Sequence, residues 1–219
     1  MGRRLLLVEG RDDEKVVKHL CRAHGIEVDF DMEQPSKGGI EQLLDQVPAR
    51  LKESGMEGLG VLVDADENAQ SRWEQLRDRL RRAGHEGIPD SPSPTGTIVD
   101  LATLDLGDEQ RSVRLGIWIM PNNRLPGMIE DFLAFLVPED DSMLPRVDRF
   151  LDELPAEPRR FPEAHRPKAR IHSYLAIQKE PGKPLGLAIT FRYLDARRDV
   201  VEPFVQWIKD VLVPDGDQP

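Results

Sequence analysis

Three short apolar runs, each followed by a helix-forming segment, set the strongest limit on how this chain can fold. Residues 4–9 read as an apolar strand closed by Gly10, and residues 12–24 as a helix with Val16, Val17 and Leu20 on one side, ended by Gly25. Residues 26–32 alternate as a second strand, and Gly38 and Gly39 open a helix that runs to about Glu53. A third strand, residues 58–63, is apolar on both faces, stops at Asp64 and leads into a helix over about 68–83. Strand and helix alternating with short links make an α/β fold: a mostly parallel sheet with helices on both faces. Such sheets carry their functional groups at the carboxyl ends of the strands.

Beyond Gly84 the pattern loosens. Residues 87–96 hold three prolines and read as a loop, and residues 97–104 and 113–120 read as further strands, so an insertion is expected at about 84–112. Helices are expected over 128–136, 142–154, 168–178 and 200–212, with a proline-rich connection at 155–167 and a turn at 181–184. That turn lacks the spacing of a phosphate-binding loop. The chain thus divides into a core over 1–138 and a helical C-terminal extension over 139–219. Phe204, Trp207, Ile208 and Val211 share one face of the tail helix and read as core, as do Trp73, Trp118 and the single cysteine, Cys21.

Composition narrows the function classes. The longest apolar runs are strand-sized, well below the roughly 18 to 20 residues that span a bilayer, so no membrane partner is expected. The amino terminus is too short and too polar for a secretory signal, which points to a cytoplasmic protein. One cysteine permits neither an internal disulfide nor a multi-cysteine zinc site. A formal net charge of −10 argues against coating nucleic acid by bulk attraction. The basic residues are unevenly spread, however: residues 155–200 hold ten Lys or Arg against five acids. A solvated surface is one reading of that stretch, and the other is a phosphate-facing patch formed by Arg159, Arg160, Arg166 and Arg170.

The informative acids follow the apolar strands. Glu9 stands at the carboxyl end of the first strand and Asp13, four residues on, in the first turn of the next helix. Asp64 and Asp66 repeat the arrangement at the third strand, where side-chain alternation points them to one side. Four carboxylates that close repel one another and raise each other's pKa unless a divalent cation compensates. Oxygen donors without a cysteine cluster or paired histidines suit Mg²⁺ or Mn²⁺ rather than zinc. An Asp-x-Asp arises by chance about twice in a chain of this composition; it is the placement after strands of a βαβ pattern that gives it weight.

Glu9-Gly10-x-x-Asp13 and Asp64-x-Asp66 resemble the first and second motifs of the Toprim domain, over roughly residues 3–135. The resemblance implies a Toprim-like (Rossmann-like) fold in which the glutamate and aspartates bind Mg²⁺ and the glutamate also acts in acid or base catalysis. The sequence is most similar to the OLD (overcoming lysogenization defect) nuclease branch and to small stand-alone Toprim-like proteins. Pro126-Gly127-Met128-Ile129-Glu130-Asp131 resembles the helix that supplies those nucleases with a further metal ligand, which nominates Glu130, with Asp131 as its neighbour. Arg166-Pro167-Lys168-Ala169-Arg170 resembles the segment carrying their essential lysine, here Lys168. The ATPase of OLD proteins is absent from this sequence, so a separate ATPase partner is implied for any nucleotide-driven control.

The resulting expectation is metal-assisted phosphodiester hydrolysis of DNA or RNA, with phage defence as the setting the resemblance implies. One ion would sit on Glu9, Asp13 and Asp64 and a second near Asp64, Asp66 and Glu130. Lys168, at a helix amino end, would hold the scissile phosphate. His165 and His172 flank it and suit phosphate or surface contact better than metal ligation. Three alternatives stay open: a ribonuclease for structured RNA, a non-catalytic module that docks a partner ATPase, and a phosphoryl-transfer enzyme for a small molecule.

Overall fold

The computed structural model describes residues 2–36, 39–104, 110–155 and 160–214. Its centre is a five-stranded sheet in the order β2-β1-β3-β5-β4, with β1 (Arg3–Val8), β2 (Asp31–Glu33), β3 (Met56–Asp64), β4 (Thr97–Leu104) and β5 (Gln110–Met120). All neighbours pair in parallel except β4, which joins β5 antiparallel at one edge. This is the Rossmann-like α/β architecture the alternation implies.

The alternation of side chains along the strands divides the core in two. Leu5, Leu7, Leu59, Val61 and Val63 face α2 (Ile40–Arg50) and α3 (Ala69–Arg82). Leu6, Val8, Leu62, Trp118 and Met120 face the other way, toward α1 (Arg11–Ala23), α4 (Ile129–Phe135), α6 (Arg166–Ala176), α7 (Leu185–Thr190) and α8 (Glu202–Leu212). The buried cluster on that second face runs without a break from Leu6 of β1 to Leu212 of α8, so the carboxyl-terminal helices share the sheet's own core. The remaining helix, α5 (Leu144–Glu153), packs on α6.

Helix α8 lies directly on β3 and β5 because glycines leave room for it. A Cβ on Gly116 would come within 2.4 Å of Val211 Cγ2, and one on Gly58 within 2.5 Å of the Val211 carbonyl oxygen. Phe204, Trp207, Ile208 and Val211 are fully buried on this contact, as the tail-helix pattern implies. Burial of side chains of this size contributes about 1.5–3 kcal/mol each. Trp118 and Phe204 meet with ring centroids 5.0 Å apart. Cys21, Trp73 and Trp118 are likewise buried.

Three stretches differ from the sequence expectation. The strand expected over 26–32 is paired only at Asp31–Glu33; before it, Ile26 and Phe30 turn into the core beside α1, so apolar alternation there reflects burial without sheet pairing. Helix α7 follows Pro184, past the turn that the sequence places there. The stretch expected as an insertion contributes β4 to the sheet itself, eight residues paired with β5.

Candidate active site

At the carboxyl edge of the sheet the strand ends supply the first two acids. β1 and β3 are neighbours, with Val8 in register with Leu62, so Glu9 emerges beside Asp64. Glu9 Oε1 accepts the Asp64 backbone N–H at 2.7 Å. Asp64 Oδ1 in turn accepts the Ile129 N–H at 2.9 Å, which seats the amino end of α4 on the site and brings in Glu130. Asp13, buried in the first turn of α1, accepts the Gly10 N–H through Oδ2 at 2.9 Å and so also caps its helix. Lys168, in the first turn of α6, places Nζ 4.0 Å from Glu130 Oε1, its own side chain half exposed and that of Glu130 only 6% exposed. Glu9, Asp13 and Glu130 thus lie within electrostatic reach of Asp64, with Lys168 beside Glu130.

Burial and mutual repulsion set the electrostatics. The Asp64 carboxyl is pushed up to about 9, first by burial and then by the charges of Glu9, Asp13, Glu130 and Asp66. Burial, followed by the charge of Glu9, pushes Asp13 up to about 7. Glu9 and Glu130 are also raised by burial; Lys168 opposes the shift in both, helped by Arg72 at Glu9 and by His172 at Glu130. Acid therefore outweighs cation in the cluster, and each of these carboxyls lies above its ordinary range. Glu130 Oε2 is buried with no hydrogen-bond partner. An orphaned carboxylate oxygen within an all-oxygen donor set fits a hard divalent cation. Among the described residues, no three His, Cys, Asp or Glu side chains already form a closed metal-holding group. The acids are neighbours tied to backbone N–H groups.

Asp66 departs from the pattern. Its backbone sits at φ +52°, which breaks the alternation that would align it with Asp64. Its N–H and carbonyl pair with Gly127 at 2.9 and 2.7 Å, joining the end of β3 to the loop before α4. The carboxylate turns to Arg72 at 2.5 Å and is 53% exposed. Asp131 plays a structural part, since its Oδ2 accepts the Met128 N–H at 2.9 Å and caps α4. Gly127, at φ +130°, makes space for that carboxylate: a Cβ there would lie 2.5 Å from the same oxygen.

Arg72 is a site residue that the motifs do not mark. Its side chain is 8% exposed, with Nε donating to the Asp64 carbonyl at 2.8 Å and a terminal nitrogen to Asp66. A sequence signal for it exists: Arg72 precedes Leu76 by four residues and so stands on the buried stripe of α3, where a cation needs a partner.

Two of the four arginines expected in a phosphate patch are engaged in ion pairs. Arg170 grips both oxygens of Asp148 at 2.6 and 2.9 Å, and Arg166 pairs with Asp152 at 2.5 Å. These two pairs, spaced four residues apart on each helix, join α6 to α5, so the guanidinium groups are neutralised locally. Arg160 is exposed, and Arg159 lies outside the described residues. His165 and His172 are exposed, and His172 lies within electrostatic reach of Glu130. A cavity of about 970 Å³ opens beside Asp66, between Arg72, Met128 and Pro167.

Fold and site together define an α/β protein with a Rossmann-like sheet and a partly buried cluster of carboxylates beside a lysine at its carboxyl edge. No helix among the described residues is long and apolar enough to cross a membrane. The chain belongs to the family described as protein of unknown function (DUF3226), whose model matches residues 3–213. No curated protein and no solved structure matches it.

Proposed function

We propose that this protein is a Mg²⁺- or Mn²⁺-dependent phosphodiesterase acting on nucleic acid, of the Toprim, OLD-like kind that its sequence motifs resemble. The observation that carries this reading is the convergence of buried Asp13 and Glu130 with half-buried Glu9 and Asp64, with Lys168 4.0 Å from Glu130. Buried acids in such excess destabilise a fold, and a strongly perturbed cluster of this type marks a functional site.

Glu9, Asp13, Asp64 and Glu130 would hold the metal. When bound, it supplies Lewis-acid stabilisation of the phosphoryl group and lowers the pKa of a bound water. The rest falls to the chain's own side chains. Glu9 is fixed through Oε1 by the Asp64 N–H, leaving its other oxygen to take the proton from the attacking water. Water oxygen bonds to phosphorus as the ester P–O bond breaks, and the leaving oxygen takes up a proton from solvent. The Lys168 ammonium, at the amino end of α6, faces the charge that develops on phosphate. Arg72 is a positioning residue that ties down the Asp64 carbonyl and Asp66.

The test incubates the protein with plasmid, single-stranded DNA and tRNA, with Mg²⁺ or Mn²⁺. Metal-dependent cleavage is expected, lowered about 10³-fold in Glu9→Gln and Asp64→Asn proteins that melt normally. Cleavage of tRNA alone would make the substrate structured RNA. Cleavage of none, or equal cleavage by the variants, would overturn the assignment.

A further inference from the structure

A second feature lies at the other end of α1. Arg11, Lys15, Lys18 and Arg22 fall within about 60° of one another around the helix, forming a basic row that starts beside the carboxylates. Asp13 to Arg22 is about 14 Å along the axis. Where the row ends, α1 and the loop after α7 enclose a cavity of about 790 Å³, lined by Arg22, Arg192 and Arg197 over an apolar floor that includes Ala23, Ile189 and Leu194. Its size is that of a small-molecule site.

The charges there are uncompensated. Several other arginines are matched to acids, among them Arg3 with Asp31 and Glu33, Arg50 with Glu53, Arg72 with Asp66 and Arg170 with Asp148. Arg22, Arg192 and Arg197 have no carboxylate partner among the described residues. One acid, Asp195, lines the same cavity, and its Oδ1 accepts the Arg197 backbone N–H at 2.9 Å. His19 is held by Thr190, Nδ1 to Oγ1 at 2.7 Å, on the cavity wall. Arg192 stands at φ +60°, a left-handed position that an arginine occupies at a cost of about 1 kcal/mol relative to glycine. Three permanent cations around an apolar floor match a phosphate-bearing ligand, because guanidinium forks bind phosphate oxygens in pairs while the floor accepts a sugar or base.

We propose that this cavity is a phosphate-binding site separate from the carboxylate cluster, and that it takes a nucleotide unit, supplied either by a nucleic-acid strand laid along α1 or by a free nucleotide. Binding needs no catalysis, so the site stands apart from the phosphodiesterase reading.

The experiment titrates wild type, Arg22→Glu/Arg197→Glu and Arg192→Gly with ADP and with a fluorescein-labelled single-stranded oligonucleotide, all in EDTA. Glycine suits the backbone of residue 192 and keeps its N–H bond to the Ile189 carbonyl, so that variant tests the charge without straining the fold. If the ligand is a strand, the double variant binds the oligonucleotide at least about tenfold more weakly, and the salt slope falls by about 0.7 per arginine removed. If it is a free nucleotide, ADP binds wild type and is lost from the variants. Either result supports the site. Failure of wild type to bind both probes, or unchanged affinity in the variants, would overturn it. Absent cleavage in the incubation with plasmid and tRNA would sink the phosphodiesterase reading and leave this result standing.

Discussion

Two charged clusters in this molecule contain similar residue types and are built on opposite terms. Where β1 begins, Arg3 meets Asp31, Glu33 and Glu53, and Arg50 meets Glu33 and Glu53. Cations and acids alternate there, side chains are a quarter to two-thirds exposed, and every charge has a partner. Where β1 ends, buried Asp13 and Glu130 and half-buried Glu9 and Asp64 lie together against little more than Lys168 and Arg72. The first cluster is what a surface does with charge. The second keeps like charges close together with few cations to offset them.

Removing one charge from the buried cluster gives the largest effect. Asp64 has a folded pKa of about 9 against an ordinary value of 3.8. It takes up a proton on folding throughout that window, so its contribution to stability is full below about 4, shrinks as pH rises and is gone above about 9. This group alone therefore lowers the stability of the metal-free protein as pH rises. Asp64→Asn keeps the acceptor for the Ile129 N–H and stabilises the metal-free protein by about 2–4 kcal/mol at pH 8, a gap that closes toward pH 4. Denaturant melts across pH measure this. Mn²⁺ raises the wild-type melting temperature and leaves the variant unmoved; a pH-independent gap would remove the distinction between the clusters.

Arg72→Met comes next. It leaves the buried Asp64 carbonyl without its donor and frees Asp66, costing about 1–3 kcal/mol by chemical denaturation. It also raises the Glu9 pKa further, because Arg72 opposes that shift. The smallest change is expected at the balanced cluster. Arg3→Ala costs about 1 kcal/mol or less, and the loss fades in high salt, as for other exposed pairs. A salt-independent loss above about 3 kcal/mol would place the two clusters on equal terms.

Much of the site is legible in the sequence because its first acids are local features. Glu9 and Asp64 follow apolar strands, and Asp13 lies one helical turn into α1. Glu130 and Lys168 enter through resemblance, and the fold makes them neighbours. Asp66 escapes the pattern because strand alternation assumes a continuing extended backbone, whereas pairing with Gly127 holds it at positive φ. Arg166 and Arg170 read as free cations because Asp148 and Asp152 are remote in sequence; packing of α5 on α6 joins them. The cavity at the far end of α1 leaves no mark in the sequence, since Arg22 and Arg192 stand far apart along the chain and meet through α7.

The sequence by itself determined the layered α/β plan and the placing of acids at strand ends, because strand and helix periods and the residues that stop them act over a few neighbours. Tertiary structure decided which charges are answered and which are not. Pairing, burial and the resulting protonation depend on groups brought together through space, and the same arginine or aspartate becomes a tie, a cap or a reactive group according to what folding sets beside it.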